Sequence, residues 1–357
     1  MLRALGWGGA GLAGVLIALE LVLRALPVST ASMLGYHHGP DLLTPPAGHR
    51  WTVSTGWDLR NPQRLVANNW GFVADRDFAP DPRAVALIGD SHVEASMLPA
   101  TDRPGAQLER LLDGQRPVYA LGAPGTALLD HAERVLLAAR TWQVRDMVLL
   151  LESGDIRQAL CGSGNVHSHC LDPATLAPRR ERHAEPSALK RLLRHSALAQ
   201  YFASQIKLRG GVFLAELFTR QVPELAGHGG DDTPGADATA AAAPAPEAVR
   251  QARRLVDAVL AQFFARLAEV PVLRLTVLLD GRRDGRSSPA SDGHVERAYL
   301  VARLEARGVR VIDLEPAYAR HHADGQGLSL EIGPYDRHLN RLGVQLAMQQ
   351  AAAALRQ

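Results

Sequence analysis

The sequence is poor in lysine and has no region of concentrated charge. Lysine occurs only at Lys190 and Lys207 among 357 residues, so arginine supplies almost all of the positive charge. The formal net charge is +2, and no stretch interleaves basic and aromatic residues as a nucleic-acid-binding platform does. The sequence therefore predicts no nucleic-acid partner.

Cysteine is equally scarce, and its two copies, Cys161 and Cys170, lie close together in the sequence. A pair that closes a short loop in an exported protein is typical of a disulfide. Free thiols are an alternative. A metal site is another, because His167 and His169 lie in the same loop, although four ligands packed this closely lack the usual spacing of a zinc site.

Charged residues are absent from Ala4 to Leu19, with Arg3 before this run and Glu20 after it. Roughly 20 apolar residues span a bilayer, so residues 1–27 are predicted to form a transmembrane anchor. The basic flank favours a cytoplasmic N-terminus. This predicts a single-pass protein of the inner membrane whose remaining chain lies in the periplasm or otherwise outside the cytoplasm.

Two alternatives to an anchor remain open. A cleaved signal peptide is compatible with the small residues Ser29-Thr30-Ala31, although the apolar run is long for one. A buried core helix is the second alternative. No cysteine closely follows the run, which argues against a lipoprotein.

After an irregular lead-in over residues 28–83, strand-like and helix-like patterns alternate along the chain. Strands are predicted over 85–88, 118–121, 147–151, 272–279 and 309–314, and helices over 105–112, 127–141, 248–267, 294–307 and 343–355. This alternation predicts a three-layer α/β/α, flavodoxin-like domain with a parallel sheet over residues 84–355.

Two segments interrupt the predicted alternation. The first is an insertion over residues 156–222, which contains the cysteine loop and a helical stretch over 187–218. The second is a segment over residues 227–246, built mainly from Gly, Asp, Ala, Pro and Thr. Its lack of large apolar residues predicts a disordered linker.

The first predicted strand ends abruptly at Gly89-Asp90-Ser91-His92. In open parallel sheets, ligands bind beyond the carboxyl ends of the strands, so Ser91 is expected at that edge and at the start of the next helix. A helix N-terminus offers free N–H groups that stabilise an oxyanion. Ser91 is therefore a candidate nucleophile, and its own N–H is a candidate oxyanion donor. A serine that only caps a strand-to-helix turn is the alternative.

A candidate base lies near the other end of the chain. One residue separates Asp336 from His338, and in an extended segment such a pair points to the same side. The carboxylate then accepts from one imidazole nitrogen and leaves the other to take a proton from Ser91. The pair follows the last predicted strand, so it is expected at the same edge of the sheet. A surface turn with an incidental Asp–His pair is the alternative.

These motifs resemble those of the SGNH (GDSL-like) hydrolase superfamily over roughly residues 64–160 and 270–355. The first family block matches Ile88-Gly89-Asp90-Ser91, and the last block matches Asp336 and His338. The second block matches Gly125, and the resemblance implies that its N–H donates to the oxyanion. The stretch Ala67-Asn68-Asn69-Trp70-Gly71-Phe72 resembles the lead-in of membrane-anchored bacterial members.

The chain departs from the family pattern in two blocks. Its last block has one residue between Asp and His where the family usually has two, and this spacing resembles the alginate O-acetylation branch. His92 beside the serine also resembles SGNH domains attached to membrane acyltransferases. The third block usually carries an Asn that donates to the oxyanion, but Gly154 stands there, with Ser153 or Asn165 as candidate replacements. Loss of one such donor costs on the order of 10²–10³ in rate.

The residues and the resemblance together predict a serine-dependent carboxylic-ester hydrolase or O-acyltransferase of the SGNH class. Its catalytic residues are Ser91, Asp336 and His338, its oxyanion donors are the N–H groups of Ser91 and Gly125, and it requires no metal or organic cofactor. The anchor and the resemblance to O-acetylation proteins favour an acyl-ester substrate on an envelope or exported glycan, with envelope polysaccharide machinery as a partner. The missing Asn favours the alternative, a non-catalytic SGNH-fold subunit for glycan binding or assembly.

Overall fold

The computed structural model describes residues 2–31, 37–39, 42–152, 154–164, 168–181, 187–206, 246–271, 273–283, 292–325, 327–334 and 336–357. The chain forms two compact units. The first comprises residues 1–35, 49–66 and 183–226, and the second comprises residues 36–48, 67–182 and 227–357. The domain boundaries expected from the sequence stay a prediction.

Strands and helices are numbered here in chain order over the described residues. The strands are β1 His37–Gly39, β2 Leu42–Thr44, β3 Arg50–Thr55, β4 Arg60–Val66, β5 Val85–Gly89, β6 Val118–Gly122, β7 Asp146–Leu151, β8 His169–Leu171, β9 Pro178–Arg180, β10 Arg274–Leu279 and β11 Arg310–Asp313. The helices are α1 Leu2–Ala25, α2 Ser91–Glu94, α3 Pro104–Leu111, α4 Leu128–Thr141, α5 Asp155–Gln158, α6 Ala188–Leu193, α7 Ala197–Gln200, α8 Pro246–Leu267, α9 Asp292–Glu305, α10 Glu315–Ala323 and α11 Arg341–Leu355. A π-helical turn, Tyr201–Gln205, follows α7.

The largest sheet belongs to the second unit, and all of its strand pairs are parallel. Its strand order is β11-β10-β7-β5-β6. The first of these strands in the chain, β5, therefore lies between the second and the third, which is the flavodoxin-like order of a doubly wound sheet. The predicted α/β class with a parallel sheet is confirmed.

Apolar side chains cover both faces of this sheet, because successive residues of a strand point to opposite sides. On one face, Ile88 and Leu149 join a buried cluster with α4, α8 and α9. On the other face, Leu87 and Leu150 pack with α3, α10 and α11. The result is three layers, and it explains why the strands are continuous apolar runs in the sequence.

Each strand and helix predicted for this unit is found, with ends that differ by a few residues. The sequence did not predict α10. Its C-terminal end, Arg320-His321-His322, is polar, so the helix shows no clear apolar periodicity. It also missed the strand pairs β1–β2 and β3–β4 within the lead-in, because these short strands carry mostly polar residues. The predicted linker lies outside the described residues, except for Pro246, which begins α8. The predicted helical stretch 187–218 is described only as far as residue 206, where it contains α6, α7 and the π-helical turn.

In the first unit, the antiparallel hairpin β3–β4 buries Trp51 opposite Leu65. Gln205 Nε2 donates to Ser54 Oγ over 2.9 Å, which ties the helical segment 187–206 to this hairpin. The backbone N–H of Thr52 donates to Thr30 Oγ1 over 3.0 Å, which ties the chain that leaves α1 to the same hairpin.

Helix α1 contains 24 residues and is therefore about 36 Å long. Its segment Trp7–Ala25 is long and apolar enough to cross a membrane. Length and composition alone support this, and a signal sequence passes the same test. Large apolar side chains of the segment, such as Leu12, Ile17 and Leu21, are exposed.

Cys161 and Cys170 are joined in a disulfide. The bond connects the segment after α5 to β8, which pairs with β9. His169 Nε2 lies 3.8 Å from Glu133 Oε1, whereas His167 lies outside the described residues. The structure thus holds the disulfide rather than free thiols.

Gly122 at the end of β6 allows α2 to pack directly on the sheet. A Cβ at this position would overlap the backbone of Glu94 and Val93. We expect Gly122→Ala to lower the free energy of unfolding by about 1–3 kcal/mol, as overpacking does, in chemical denaturation of the full chain in detergent.

Gly308→Ala is the control for this substitution. A Cβ at Gly308 meets nothing within 4 Å, but its φ of +74° leaves a backbone strain that costs on the order of 1 kcal/mol. If Gly122→Ala costs no more than Gly308→Ala, the close contact between α2 and β6 does not constrain the fold.

Candidate active site

The turn after β5 is held by Asp90, which is buried and caps α2. Its Oδ1 accepts from the N–H of His92 over 2.8 Å, and its carbonyl accepts from the N–H groups of Val93 and Glu94. Asp90 is thereby engaged with backbone donors of the turn. Ser91, at the first position of α2, is presented at the carboxyl edge of the sheet.

The structure brings Ser91, His338 and Asp336 into one chain of hydrogen bonds. His338 Nε2 lies 2.8 Å from Ser91 Oγ, and His338 Nδ1 lies 2.6 Å from Asp336 Oδ1. With the imidazole proton on Nδ1, that nitrogen donates to the carboxylate and Nε2 accepts from the serine hydroxyl. This is the geometry that makes a serine hydroxyl nucleophilic.

The loop that carries the base is fixed by backbone contacts. Asp336 Oδ1 also accepts from the N–H of His338 over 2.9 Å. The carbonyl of His338 accepts from Ile332 N–H over 3.0 Å, and Arg283 donates to the carbonyl of Arg337. The imidazole is therefore held in orientation by its own backbone as well as by its carboxylate partner.

Asn340 is the N-cap residue of the last helix, and its side chain also holds the loop that carries His338. Its Oδ1 accepts from Leu342 N–H and Gly343 N–H, as an N-cap residue does. Its Nδ2 donates to the carbonyls of Ser329 and Glu331. One amide thus joins the start of α11 to the strand-like segment before the base.

The pKa values of the two groups move in opposite directions. Burial raises the pKa of Asp336, but the hydrogen bond and charge of His338 outweigh it, so the pKa lies below its usual value. Burial lowers the pKa of His338, but the hydrogen bond and charge of Asp336, with the charges of Asp90 and Glu152, raise it above its usual value. The carboxylate therefore stays ionised while the imidazole titrates.

A second histidine lies against the base. The His92 ring centroid is 4.6 Å from that of His338, and the side chain is 8% exposed. Burial and the charge of His338 lower the pKa of His92 to about 4. At neutral pH, the His92 imidazole is therefore uncharged and packs against the ring of His338. His338 is then the imidazole of the pair that titrates near neutral pH.

Three side chains near the turn have donor atoms suited to a cation. Asp90, His92 and Glu152 each offer one ligand atom, and these atoms lie within 4.8 Å of one another. His92 Nε2 is 3.8 Å from Glu152 Oε1. The hydrogen-bonded chain Ser91–His338–Asp336 includes none of these three side chains.

A buried arginine and buried carboxyl groups lie under the turn that carries Ser91. Arg134, 1% exposed, donates from Nη1 to the carbonyl of Gly89 over 2.8 Å. Burial lowers its pKa to about 10, against the opposing charges of Asp130 and Asp90, so it stays cationic at neutral pH. Burial raises the pKa of Asp155 well above its usual value, and the charges of Asp90 and Glu152 add to this.

The expected oxyanion donors lie at the carboxyl edge of neighbouring strands. Gly125 follows β6, which pairs with β5, and its φ of +71° lies in the left-handed region that favours glycine. Thr126 Oγ1 donates to the carbonyl of Ala123 over 2.7 Å and so braces this loop. The roles of Ser91 and Gly125 as donors stay a prediction.

Gly154, the third-block position, lies directly against Gln158. A Cβ at Gly154 would be 2.7 Å from Gln158 Nε2, so the Gln158 amide takes the space that a side chain at position 154 would fill. Sequence reasoning missed Gln158, which is four residues beyond Gly154 and therefore one helical turn away. The candidate replacements Ser153 and Asn165 lie outside the described residues.

Comparison with known proteins shows similarity only at the level of structure. No protein-family model and no curated protein matches the chain. It is similar to a member of the lipolytic protein G-D-S-L family from Veillonella parvula, with 12% identity, coverage of 76% of this chain and 97% of that one, and a TM-score of 0.37. It is also similar to a carbohydrate acetylesterase family member from Sinorhizobium meliloti, with 8% identity, coverage of 77% and 97%, and a TM-score of 0.38.

Because the identities and TM-scores are low, the function must be argued from the geometry of the chain's own residues. The chain of hydrogen bonds from Ser91 to Asp336 supplies that geometry.

The raised pKa of His338 predicts the pH dependence of any reaction that uses it as a base. Only neutral imidazole accepts a proton, so the rate is expected to rise with pH through a pKa above 6.5. Asp336→Asn removes the hydrogen bond and charge that raise this pKa. The acid limb of the kcat/KM profile should therefore move to lower pH, and the plateau should fall by roughly 10⁴-fold because the tautomer is no longer fixed.

Asp113→Asn, at an exposed carboxylate, is the matched control and should leave the pH profile unchanged. An Asp336→Asn profile that coincides with that of the unmodified chain would show that Asp336 does not tune the base.

Proposed function

We propose that this chain is a serine-dependent carboxylic-ester hydrolase or O-acyltransferase of the SGNH class. The observation that carries the proposal is the continuous hydrogen-bonded chain Ser91–His338–Asp336, assembled from residues 247 positions apart in the sequence. Its ionised carboxylate, titrating imidazole and hydroxyl correspond to the three groups of a serine nucleophile system.

In the first half-reaction, Ser91 Oγ attacks the carbonyl carbon of an ester while its proton passes to His338 Nε2. The carbonyl oxygen becomes an oxyanion, which the N–H groups of Ser91 and Gly125 stabilise. The tetrahedral intermediate then expels the alcohol, which takes the proton from His338. The product is an acyl ester on Ser91, and Asp336 stabilises the imidazolium that forms on the way.

The second half-reaction decides between hydrolysis and transfer. His338 removes a proton from an incoming hydroxyl, whose oxygen attacks the acyl carbonyl carbon of the acyl-enzyme. The bond from that carbon to Ser91 Oγ then breaks, and His338 returns the proton to Ser91 Oγ. Water as the acceptor makes the chain an esterase, whereas a sugar hydroxyl makes it an O-acyltransferase. The protein groups required are the same in both cases.

We further assign to Gln158 the oxyanion contact that Gly154 does not supply. A primary amide has the same N–H donors as the asparagine that the resemblance places at position 154. Gln158 Nε2 lies 2.7 Å from the position that a Cβ on Gly154 would take, and the neighbouring Glu152 lies 3.8 Å from His92 at the turn that carries Ser91. Gln158, one helical turn after position 154, would thus supply the amide that an asparagine at position 154 supplies in the family.

We propose that α1 is retained as a membrane anchor. Glu20, within the apolar helix, accepts from Ser196 Oγ over 2.7 Å and from the N–H groups of Ala197 and Leu198. Arg24 donates to the carbonyl of His195 over 3.0 Å. A cleaved signal peptide needs no such contacts with the rest of its chain, so these contacts support a single-pass anchor. The basic flank at Arg3 favours a cytoplasmic N-terminus and therefore a remainder outside the cytoplasm.

An anchored position and the motif resemblance to O-acetylation proteins support an acylated envelope or exported glycan as the substrate. An enzyme held at the membrane meets such polymers, and the machinery that handles them, without leaving the envelope. A non-catalytic glycan-binding or assembly role is the second candidate, which the glycine at position 154 favours.

Substitution of the nucleophile separates the two candidates. Ser91→Ala should lower kcat for an acetyl-ester chromogen by on the order of 10⁶-fold, as loss of the serine does in a serine hydrolase. It should also abolish labelling by a fluorophosphonate, because the reagent bonds to the activated serine. Both are measured on the full chain purified in detergent.

Ser187→Ala, at an exposed serine outside the site, is the control and should keep both activities. If labelling and turnover survive in Ser91→Ala, Ser91 is not the nucleophile. If both are absent from the unmodified chain, the non-catalytic candidate stands instead.

Substitution of Gln158 tests the third oxyanion donor. Gln158→Ala should lower kcat by about 10²–10³-fold with little change in KM, since the contact strengthens only as the oxyanion forms. The double variant Gly154→Asn with Gln158→Ala should recover part of the rate, because the shorter amide then has room.

Gln115→Ala, at an exposed glutamine, is the control for the Gln158 series. Full activity of Gln158→Ala would remove Gln158 from the oxyanion site without affecting the role of Ser91.

A further inference from the structure

Exposed large apolar side chains are concentrated in the first unit. Among the described residues outside α1, the second unit exposes only Trp70 and Leu328 in this way. Those of the first unit are Leu26, Trp57, Val66, Leu189, Leu192, Leu193, Phe202 and Ile206. Apolar exposure on this scale in a small unit marks an interaction surface.

Helix α6 is amphipathic. Leu189, Leu192 and Leu193 are 65%, 69% and 46% exposed, and their spacing of three and four residues places them on one face. Arg191 projects from the opposite face, since residues of an α-helix are separated by about 100°. Lys190 and Arg194 add positive charge to the same segment.

This segment is attached to α1 near the end of the apolar run. Glu20 accepts from the hydroxyl and backbone groups at the start of α7, residues 196–198. Glu20 precedes the last helical residue, Ala25, by five positions, which is about 7.5 Å along the helix. If α1 spans a bilayer with Ala25 at one end of the hydrocarbon core, the start of α7 therefore lies within about 7.5 Å of that end along the helix.

Aromatic residues extend the same surface. Trp57, 61% exposed, lies at the turn of the β3–β4 hairpin. Its carbonyl accepts from the hydroxyl of Tyr201 over 2.7 Å. The Tyr201 and Phe202 rings meet edge to face at 6.0 Å. Exposed Trp and Tyr side chains are typical of the membrane–water interface.

We propose that Trp57, Leu189, Leu192, Leu193 and Phe202 form a lipid-facing collar that lies in the headgroup region around the outer end of α1. Its apolar side chains enter the boundary between headgroups and acyl chains, as those of interfacial helices do. The inference rests on the proposed membrane span.

Single-cysteine labelling of the full chain in liposomes tests the collar. Both native cysteines are in the disulfide, so an introduced cysteine is the one free thiol without reductant. An environment-sensitive fluorophore is attached at Leu192→Cys, at the opposite-face control Arg191→Cys, and at Val15→Cys within α1. Quenching is then compared for lipids with a nitroxide near the headgroup and lipids with one near the acyl-chain end.

The fluorophore at position 192 should show a blue shift and a loss of emission with the headgroup-proximal nitroxide. The fluorophore at position 191 should remain largely unquenched. The fluorophore at position 15 should be quenched by the deep nitroxide. No quenching at position 15 would overturn the membrane span itself, whereas quenching at 15 with none at 192 would overturn the collar alone.

Emission at position 192 that is blue-shifted but unaffected by either nitroxide would also overturn the collar. It would place a second copy or another protein on this face.

Discussion

The buried guanidinium of Arg134 is the interaction on which the candidate site depends. It donates to the carbonyl of Gly89 at the end of β5, and Leu121 at the end of β6 presents its carbonyl 3.5 Å away. The ends of two adjacent strands therefore share one cation beneath the nucleophile turn. The charges of Asp130 and Asp90 in turn favour the cationic form of Arg134 against the effect of its burial on the pKa.

This balance of charges has a consequence for the base. Asp155 is shifted toward its neutral form by burial and by neighbouring carboxylates, and His92 is shifted toward its neutral form by burial and by His338. Among the carboxylates of the described residues, Asp336 is the one that hydrogen-bonds to the imidazole of His338. Of His92, Asp155 and His338, it is therefore His338 that gains or loses a proton near neutral pH. Its Nε2 contacts Ser91 Oγ.

Sequence reasoning predicted the architecture of the second unit well, because strands buried on both faces are short, continuous apolar runs between amphipathic helices. Val85–Gly89 and Asp146–Leu151 illustrate this, since every residue of both strands is buried. It missed the hairpin Arg50–Thr55 with Arg60–Val66, whose exposed polar residues carry no such pattern. That hairpin acquires its buried residues, Trp51 and Leu65, only through cross-strand pairing.

The sequence by itself determined the residue types of the site: a serine at a strand end and an Asp–His pair spaced to point the same way. It also determined the apolar run at the N-terminus. Only the tertiary structure decided that His338 Nε2 reaches Ser91 Oγ, that His92 lies against the base, and that Gln158 fills the space beside Gly154. A local sequence pattern predicts the secondary structure and burial of the residues within it. These contacts join residues distant in the sequence, so they depend on the order of the parallel strands in the sheet and on where their helices pack.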